Sequence, residues 1–262
     1  MAFSVSSSIT DFPLTSSIET FFRELKHAGV DSVEVLSGLK SRLRLERVFE
    51  ISRNYELPIT SFHQSAWSGV GVYFDERFLE KARDFGVKTF VFHPLTFTSM
   101  HSNRMEKYLK RLSLMQREYG IKICLENMKS ERAYQRLYFS SQTISTHLEH
   151  LYQAAKEYEL SLTYDVSHAR FIHPEKESSF QEIFPLIGNI HLSSFHAEQE
   201  HLPLNMGEFD TSSFVTYLAK KKYSGLLTLE VFYPKMISVT NYDFRAIADS
   251  VKIIKALPGK SL

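Results

Sequence analysis

Along the chain, short β-branched or aromatic runs alternate with amphipathic stretches whose apolar positions recur three and four residues apart, as on a helix that buries one face. Glycine or a polar residue precedes most of the next runs. The clearest helix start is Ser16, whose hydroxyl can cap while Glu19 reaches back from three residues on. Ile18, Phe21, Phe22 and Leu25 then form one apolar face, and Gly29 ends it. The same reading predicts strands over 3–6, 32–36, 59–63, 89–93, 122–126, 161–165, 190–192 and 226–230. Further helices are predicted over 43–55, 75–85, 103–119, 143–158, 178–187, 211–222 and 243–255.

Strict alternation of strand and helix requires parallel strands joined by helical crossovers. Eight such units in 262 residues match the size of a closed (β/α)8 barrel, the TIM barrel, as a single domain over residues 1–262. A doubly wound open sheet is the alternative, but no early strand is followed by a glycine-rich phosphate loop. The longest irregular stretch, 128–142, follows the fifth strand, where barrels grow functional loops.

Composition narrows the class without changing the fold. Lys and Arg number 31 against 30 Asp and Glu, with 43% hydrophobic residues, which excludes a disordered chain and argues against a nucleic-acid partner. Cys124 is the only cysteine, so there is no disulfide framework. No apolar run is long enough for a membrane span, and the N-terminus lacks the basic flank and apolar stretch of a signal peptide. The expected address is therefore the cytoplasm, with no membrane partner.

Chemistry emerges at the strand ends. The third to eighth strands carry His63, His93, Glu126, Asp165, His191 and Glu230 at or near their last residue, each about one strand–helix unit from the next. In a barrel those ends form the catalytic face, where side chains from neighbouring strands converge. Any one of these residues alone reads as a hydrogen-bonded core histidine, a helix cap or a salt-bridge partner. As a set they sit in the apolar contexts FVFHP, KICLEN, LTYDV and LTLEVF, where each would bear a desolvation cost that a shared cation offsets.

The segments SFHQS, VFHP, CLEN, LTYDVSH, NIHL, EHLPLNMGEFD and LTLEVF resemble, in order and placement, the xylose isomerase-like TIM barrels. That superfamily includes sugar isomerases and epimerases and the endonuclease IV group. Resemblance to the ketose epimerases implies one divalent ion (Mn, Mg or Zn) held by Glu126, Asp165, His191 and Glu230. Glu126 and Glu230 are then the acid/base pair acting on a small sugar or sugar-like polyol through an enediolate, with His168 on a substrate oxygen. Resemblance to the endonuclease IV group implies up to three zinc ions, with His63, His93, His168 and His201 as extra ligands, Glu126 bridging two ions, and abasic DNA as substrate. Against that second reading, Gln199 stands where the group has Asp, MKSERAYQ replaces a small, glycine-rich segment after Glu126, and QSAW after His63 lacks the aromatic that probes DNA. The expectation is the isomerase or epimerase; self-association into a homo-oligomer stays open.

The remaining candidates read more plainly. His27, His147 and His150 fall on helix surfaces, and His101, His173 and His196 in loops. Trp67, Tyr73 and Phe97 lie where aromatic faces could cover a ligand, and Arg132, Arg136 and Lys235 where a phosphate could bind. Residues 220–222, all lysine, complement a helix C-terminus rather than DNA, and Cys124 packs as a small hydrophobe.

Overall fold

The computed structural model describes residues 3–10, 18–37, 45–64, 76–95, 102–128, 148–170, 178–197, 199–232 and 243–257. Its elements run β1 (Val5–Thr10), α1 (Ile18–Ala28), β2 (Ser32–Ser37), α2 (Leu45–Asn54), β3 (Ile59–Gln64), α3 (Glu76–Asp84), β4 (Thr89–Phe92) and α4 (Asn103–Tyr119). There follow β5 (Lys122–Glu126), α5 (Leu148–Glu157), β6 (Ser161–Asp165), α6 (Val166–Ala169), α7 (Ser178–Ile183) and β7 (Ile187–Leu192). The chain continues through β8 (Ser194–His196), β9 (Gln199–Leu202), α8 (Thr211–Lys220), β10 (Leu226–Leu229) and α9 (Phe244–Ala256). Strands β1 to β7 and β10 close a parallel barrel in the order β1-β10-β7-β6-β5-β4-β3-β2. This is the (β/α)8 architecture expected from the alternation.

Local sequence explains the boundaries. Helix α4 begins where the Ser102 side chain accepts from the Met105 amide and ends at Gly120, whose φ of 59° is the left-handed stop. Strands β5 and β6 fall where the apolar runs place them. Strand β1 lies later than the predicted 3–6, because the hydroxyl-rich stretch Ser6–Ser7–Ser8 belongs to the barrel wall rather than to a loop. Helix α7 stops at Ile183 instead of 187: Pro185 lacks an N–H and opens a 3-10 turn over Phe184–Leu186, which releases β7 early.

Two additions interrupt strict alternation. Asp165 caps the one-turn α6 directly after β6, with its Oδ1 accepting from the His168 amide at 2.7 Å. The antiparallel pair β8–β9 then rises from the end of β7. Gly207 supports that pair: its φ is +89°, and a Cβ there would lie 2.4 Å from the Phe195 carbonyl oxygen, which is also where the Glu208 amide donates.

Burial divides into two compartments. Val33, Val35, Phe62, Phe90, Phe92, Ile123 and Leu125 join helix residues such as Phe22, Leu25, Leu79 and Leu112 in one apolar cluster between strands and helices. The alternate residues point into the lumen and are mostly polar: Ser6, Ser8, Glu34, Ser61, His63, Glu126, Thr163, Asp165, Asn189, His191 and Thr228, each at most 2% exposed. Among the described residues, no helix is long and apolar enough to cross a membrane.

Candidate metal centre

The lumen's charged side chains gather at the C-terminal ends of the strands. Glu126, Asp165, His191 and Glu230 come from β5, β6, β7 and the residue after β10, all buried, with one ligand atom from each within 4.8 Å of the others. His191 Nδ1 lies 2.8 Å from Glu230 Oε2, 3.2 Å from Glu126 Oε1 and 3.9 Å from Asp165 Oδ2. Three carboxylates from three strands thus converge on one ring nitrogen.

Three further groups among the described residues share members with this one: one, of Glu34, His63 and His191, shares its histidine, and two others flank it. His63 Nε2 and His93 Nε2 lie 2.9 and 2.8 Å from Glu126 Oε2 and 2.9 Å from each other. Glu126 therefore spends one oxygen on each side, Oε2 toward the two histidines and Oε1 toward His191. On the other flank Asp165, His168 and His201 form a third group, partly open to solvent. Asp165 divides its oxygens likewise: Oδ1 caps α6 and accepts from Ser167 Oγ at 2.8 Å, while Oδ2 is buried with no hydrogen-bond partner among the described residues. The oxygen that caps α6 and the oxygen left without a partner are thus different atoms of one carboxylate.

The histidine tautomers follow from what each second nitrogen meets. His168 Nδ1 lies 2.9 Å from the Asn127 carbonyl oxygen and His201 Nδ1 3.2 Å from that of Glu230. A carbonyl only accepts, so both rings carry their proton on Nδ1, and in the neutral ring the Nε2 lone pair is left for a ligand. His201 reaches its position in the left-handed region, with φ 54°.

Electrostatics bind the set together. Burial by itself raises the Glu126 carboxyl, but His63 and His191 outweigh it and hold the group well below the usual carboxylate range. Glu230 is likewise held below that range against the effect of burial, mainly by His191. Asp165 goes the other way, raised by burial with Glu230 and Glu126 adding to it. His168 is pushed up to about 9 despite burial, by Asp165 and Glu126, and His191 rises well above its ordinary value beside Glu230, Glu34 and Glu126. Burial lowers His93. In the metal-free chain, imidazolium protons thus balance the carboxylates; a divalent cation can replace them, since its imidazole ligands must be neutral. The mixed nitrogen and oxygen donors, the shared oxygens and the unpartnered Asp165 Oδ2 fit such an ion.

A family model described as "Xylose isomerase-like TIM barrel" matches residues 22–257. The chain belongs to this family. Among solved structures, it is similar to a D-tagatose 3-epimerase-like protein, with TM-score 0.70 and 20% identity over 97% of each chain. A xylose isomerase-like TIM barrel protein from Mycobacterium smegmatis, in complex with magnesium, gives TM-score 0.63 at 14% identity, covering 93% of this chain and 89% of that one. An uncharacterised protein of Methanocaldococcus jannaschii is 27% identical over 224 residues, 80% of this chain and 84% of its own. The xylose isomerase-like family comprises metal-dependent sugar epimerases, isomerases and related enzymes, and the buried His, Glu and Asp clusters of this chain are consistent with divalent metal binding.

Other predicted positions separate from the centre. Gln199 is exposed in β9 and belongs to none of the ligand groups; Glu200 pairs with Arg170 at 3.3 Å. His27 and His150 are exposed, and exposed His196 pairs with Glu208 at 2.8 Å. Cys124 is buried, its thiol pushed up to about 12 by desolvation. Ser16, Trp67, Tyr73, Phe97, His101, Arg132, Arg136, His147, His173 and Lys235 lie outside the described residues.

Three residues of the centre were not singled out from the sequence. Asn127 ties β5 to β6, its Nδ2 donating to the Asp165 carbonyl at 3.0 Å and its Oδ1 accepting from the Asp165 amide at 2.8 Å. Asn189 and Glu34 form the floor below His191. Glu34 carried a usable signal, a carboxylate between valines in SVEVL, but it sits in mid-strand rather than at an end.

Proposed function

We propose that this chain is a divalent-metal-dependent isomerase or epimerase of a small sugar or sugar-like polyol, with Glu126 and Glu230 moving the proton. The observation that carries the reading is the four-residue group, in which two carboxylates held ionised approach one His191 nitrogen from different strands. The mixed donor set suits Mn or Zn, with Mg the harder alternative. When bound, the ion would polarise a carbonyl and its neighbouring hydroxyl. Glu126 and Glu230 are both held ionised and so are bases; the one facing the acidified C–H takes its proton and later releases it to solvent, and the other, once it has taken up a proton from solvent, delivers that proton to the carbon from its own side. His168, with Nδ1 anchored on the Asn127 carbonyl, directs Nε2 toward a ligand.

Glu126→Gln and Glu230→Gln should each abolish exchange of a substrate C–H proton with deuterated water, while leaving sugar affinity largely intact. Exchange by either variant at the wild-type rate would end this reading.

One observation favours a second reading, the endonuclease IV-like zinc phosphodiesterase. A single-ion epimerase has no need of His63 and His93 as ligands, yet both Nε2 atoms lie within 2.9 Å of Glu126 Oε2. Elemental analysis separates the two: one ion per chain supports the first reading and three the second. Cleavage at abasic sites by metal-replete protein, lost in His63→Ala, would reverse the ranking.

A further inference from the structure

At the mouth of the barrel, the backbone of Asn127 still pairs with β6: its amide donates to the Thr163 carbonyl at 3.3 Å. Its buried side chain carries the pairing further. Oδ1 accepts from the Asp165 amide at 2.8 Å, and Nδ2 donates to the Asp165 carbonyl at 3.0 Å. A backbone N–H only donates and a C=O only accepts, so these partners fix which end of the side-chain amide is which. The Asn127 carbonyl in turn accepts from His168 Nδ1 at 2.9 Å.

We propose that Asn127 is a positioning residue that sets Asp165 and His168 in place relative to Glu126, with which it shares a peptide bond. The N–H and C=O of one residue face the same side only in extended backbone; in a helix they point to opposite ends of the axis. One amide gripping both therefore holds Asp165 extended, at φ −88° and ψ 119°, the non-helical conformation of a cap. From there Oδ1 reaches the His168 amide at 2.7 Å, while Oδ2 has no hydrogen-bond partner among the described residues and is available to an ion. Were Asp165 to turn helical, the cap would be lost and the carboxylate would leave its place. His168 is tied to the same unit twice, by its ring to Asn127 and by its backbone amide to Asp165. Other side chains of this size fail: Asp lacks the donor, and Leu lacks both partners. Hydrogen bonds behind a ligand are a general means of fixing its orientation toward a metal.

This inference rests on the metal reading, and two measurements separate their failures. Titration calorimetry of folded protein with Mn2+ should show affinity about 10- to 100-fold weaker in Asn127→Ala at unchanged stoichiometry. Phe90→Ala is the control, because it loosens the apolar shell and should leave Mn2+ affinity at the wild-type value. In metal-free protein with a chelator present, 15N–1H spectra of the histidine rings, with His168→Gln for assignment, should show a protected proton on His168 Nδ1. In Asn127→Ala that proton should exchange with solvent faster by about 10-fold or more, as loss of two hydrogen bonds implies. Asn127→Asp keeps the acceptor for the Asp165 amide but sets an oxygen against the Asp165 carbonyl; it should speed the same exchange and serves if Asn127→Ala fails to fold. Unchanged His168 exchange in either folded variant overturns the proposal. So does Mn2+ affinity in Asn127→Ala that is unchanged, or that falls no further than in Phe90→Ala, since a merely structural role predicts that result. If wild type binds no Mn2+, the metal reading fails, while the exchange comparison still decides the role of Asn127.

Discussion

The two faces of each barrel strand are equally buried and chemically opposite. Phe90 and Phe92 of β4 face the helices at zero exposure, whereas Glu126 and His191, also at zero exposure, face the lumen. Between strands and helices, burial is itself stabilising, at about 1.5–3 kcal/mol per large side chain. In the lumen, burial costs free energy until each charge finds a partner. The outer compartment therefore sets stability and the inner one sets chemistry, and a substitution in one should leave the other's property largely intact.

The sharpest break of that contrast is Glu126→Ala. Glu126 belongs to two of the side-chain groups through its two oxygens and Glu230 to one, but with a single ion in the four-residue group either loss should remove that same ion. Activity should fall by at least about 10²–10⁴-fold, the range for a lost acid/base group, while far-ultraviolet circular dichroism stays native. A larger metal loss in Glu126→Ala than in Glu230→Ala would show that a further ion lies between Glu126, His63 and His93, and would favour the phosphodiesterase reading.

Phe90→Ala probes the other compartment. Phe90 is stacked on Phe62 at 6.1 Å within the apolar shell. Its truncation should cost about 3–5 kcal/mol of unfolding free energy in a denaturant titration. Metal content per folded chain should not change; a fall would mean that shell packing sets the lumen geometry as well.

The same division explains what the sequence made legible. The shell follows period: alternating apolar positions locate strands, and helical spacing locates the faces that cover them, so the eight-stranded barrel was readable. The grouping of Glu126, Asp165, His191 and Glu230 was readable because barrel topology brings strand ends together, making end position a proxy for proximity. Glu34 and Asn189 escaped because their contact spans the lumen between β2 and β7, and no local pattern encodes that crossing. The β8–β9 pair escaped for a related reason: its three- and four-residue strands are too short for alternation to show, and His201 adopts a left-handed conformation inside it.

A pH comparison should give a smaller, signed effect. In metal-free protein His168 is raised to about 9, so its contribution to stability is fully present below the ordinary histidine value near 6.5 and is lost as pH rises through about 9. His63 and His191, also raised, act in the same direction; His93, lowered by burial, opposes them. Melting temperature with a chelator present should therefore decline from pH 6.5 toward 9. With saturating metal the slope should reverse over the lower part of that window, because the ion binds the deprotonated rings. Parallel curves with and without metal would remove the ion from these histidines.

The smallest expected effect lies at Cys124, which tests where the boundary between the compartments runs. It pairs in register with Val91 and sits two residues before Glu126 on the same strand, so it faces the lumen; it is buried, yet it lies outside the apolar cluster of the shell. Topology alone would make it a candidate ligand. Its thiol is pushed up to about 12 by burial, however, and metals bind and reagents modify the thiolate, which is scarce there at neutral pH. Cys124→Ala should therefore leave the ion count unchanged and cost at most about 1 kcal/mol of stability, as expected for deletion of one small buried group. In the native protein the thiol should react with a disulfide reagent no faster than the chain unfolds. Rapid labelling of the folded protein, or a lower ion count in Cys124→Ala, would extend the reactive part of the lumen down past Val91, and the chemical compartment would then not be confined to the strand ends.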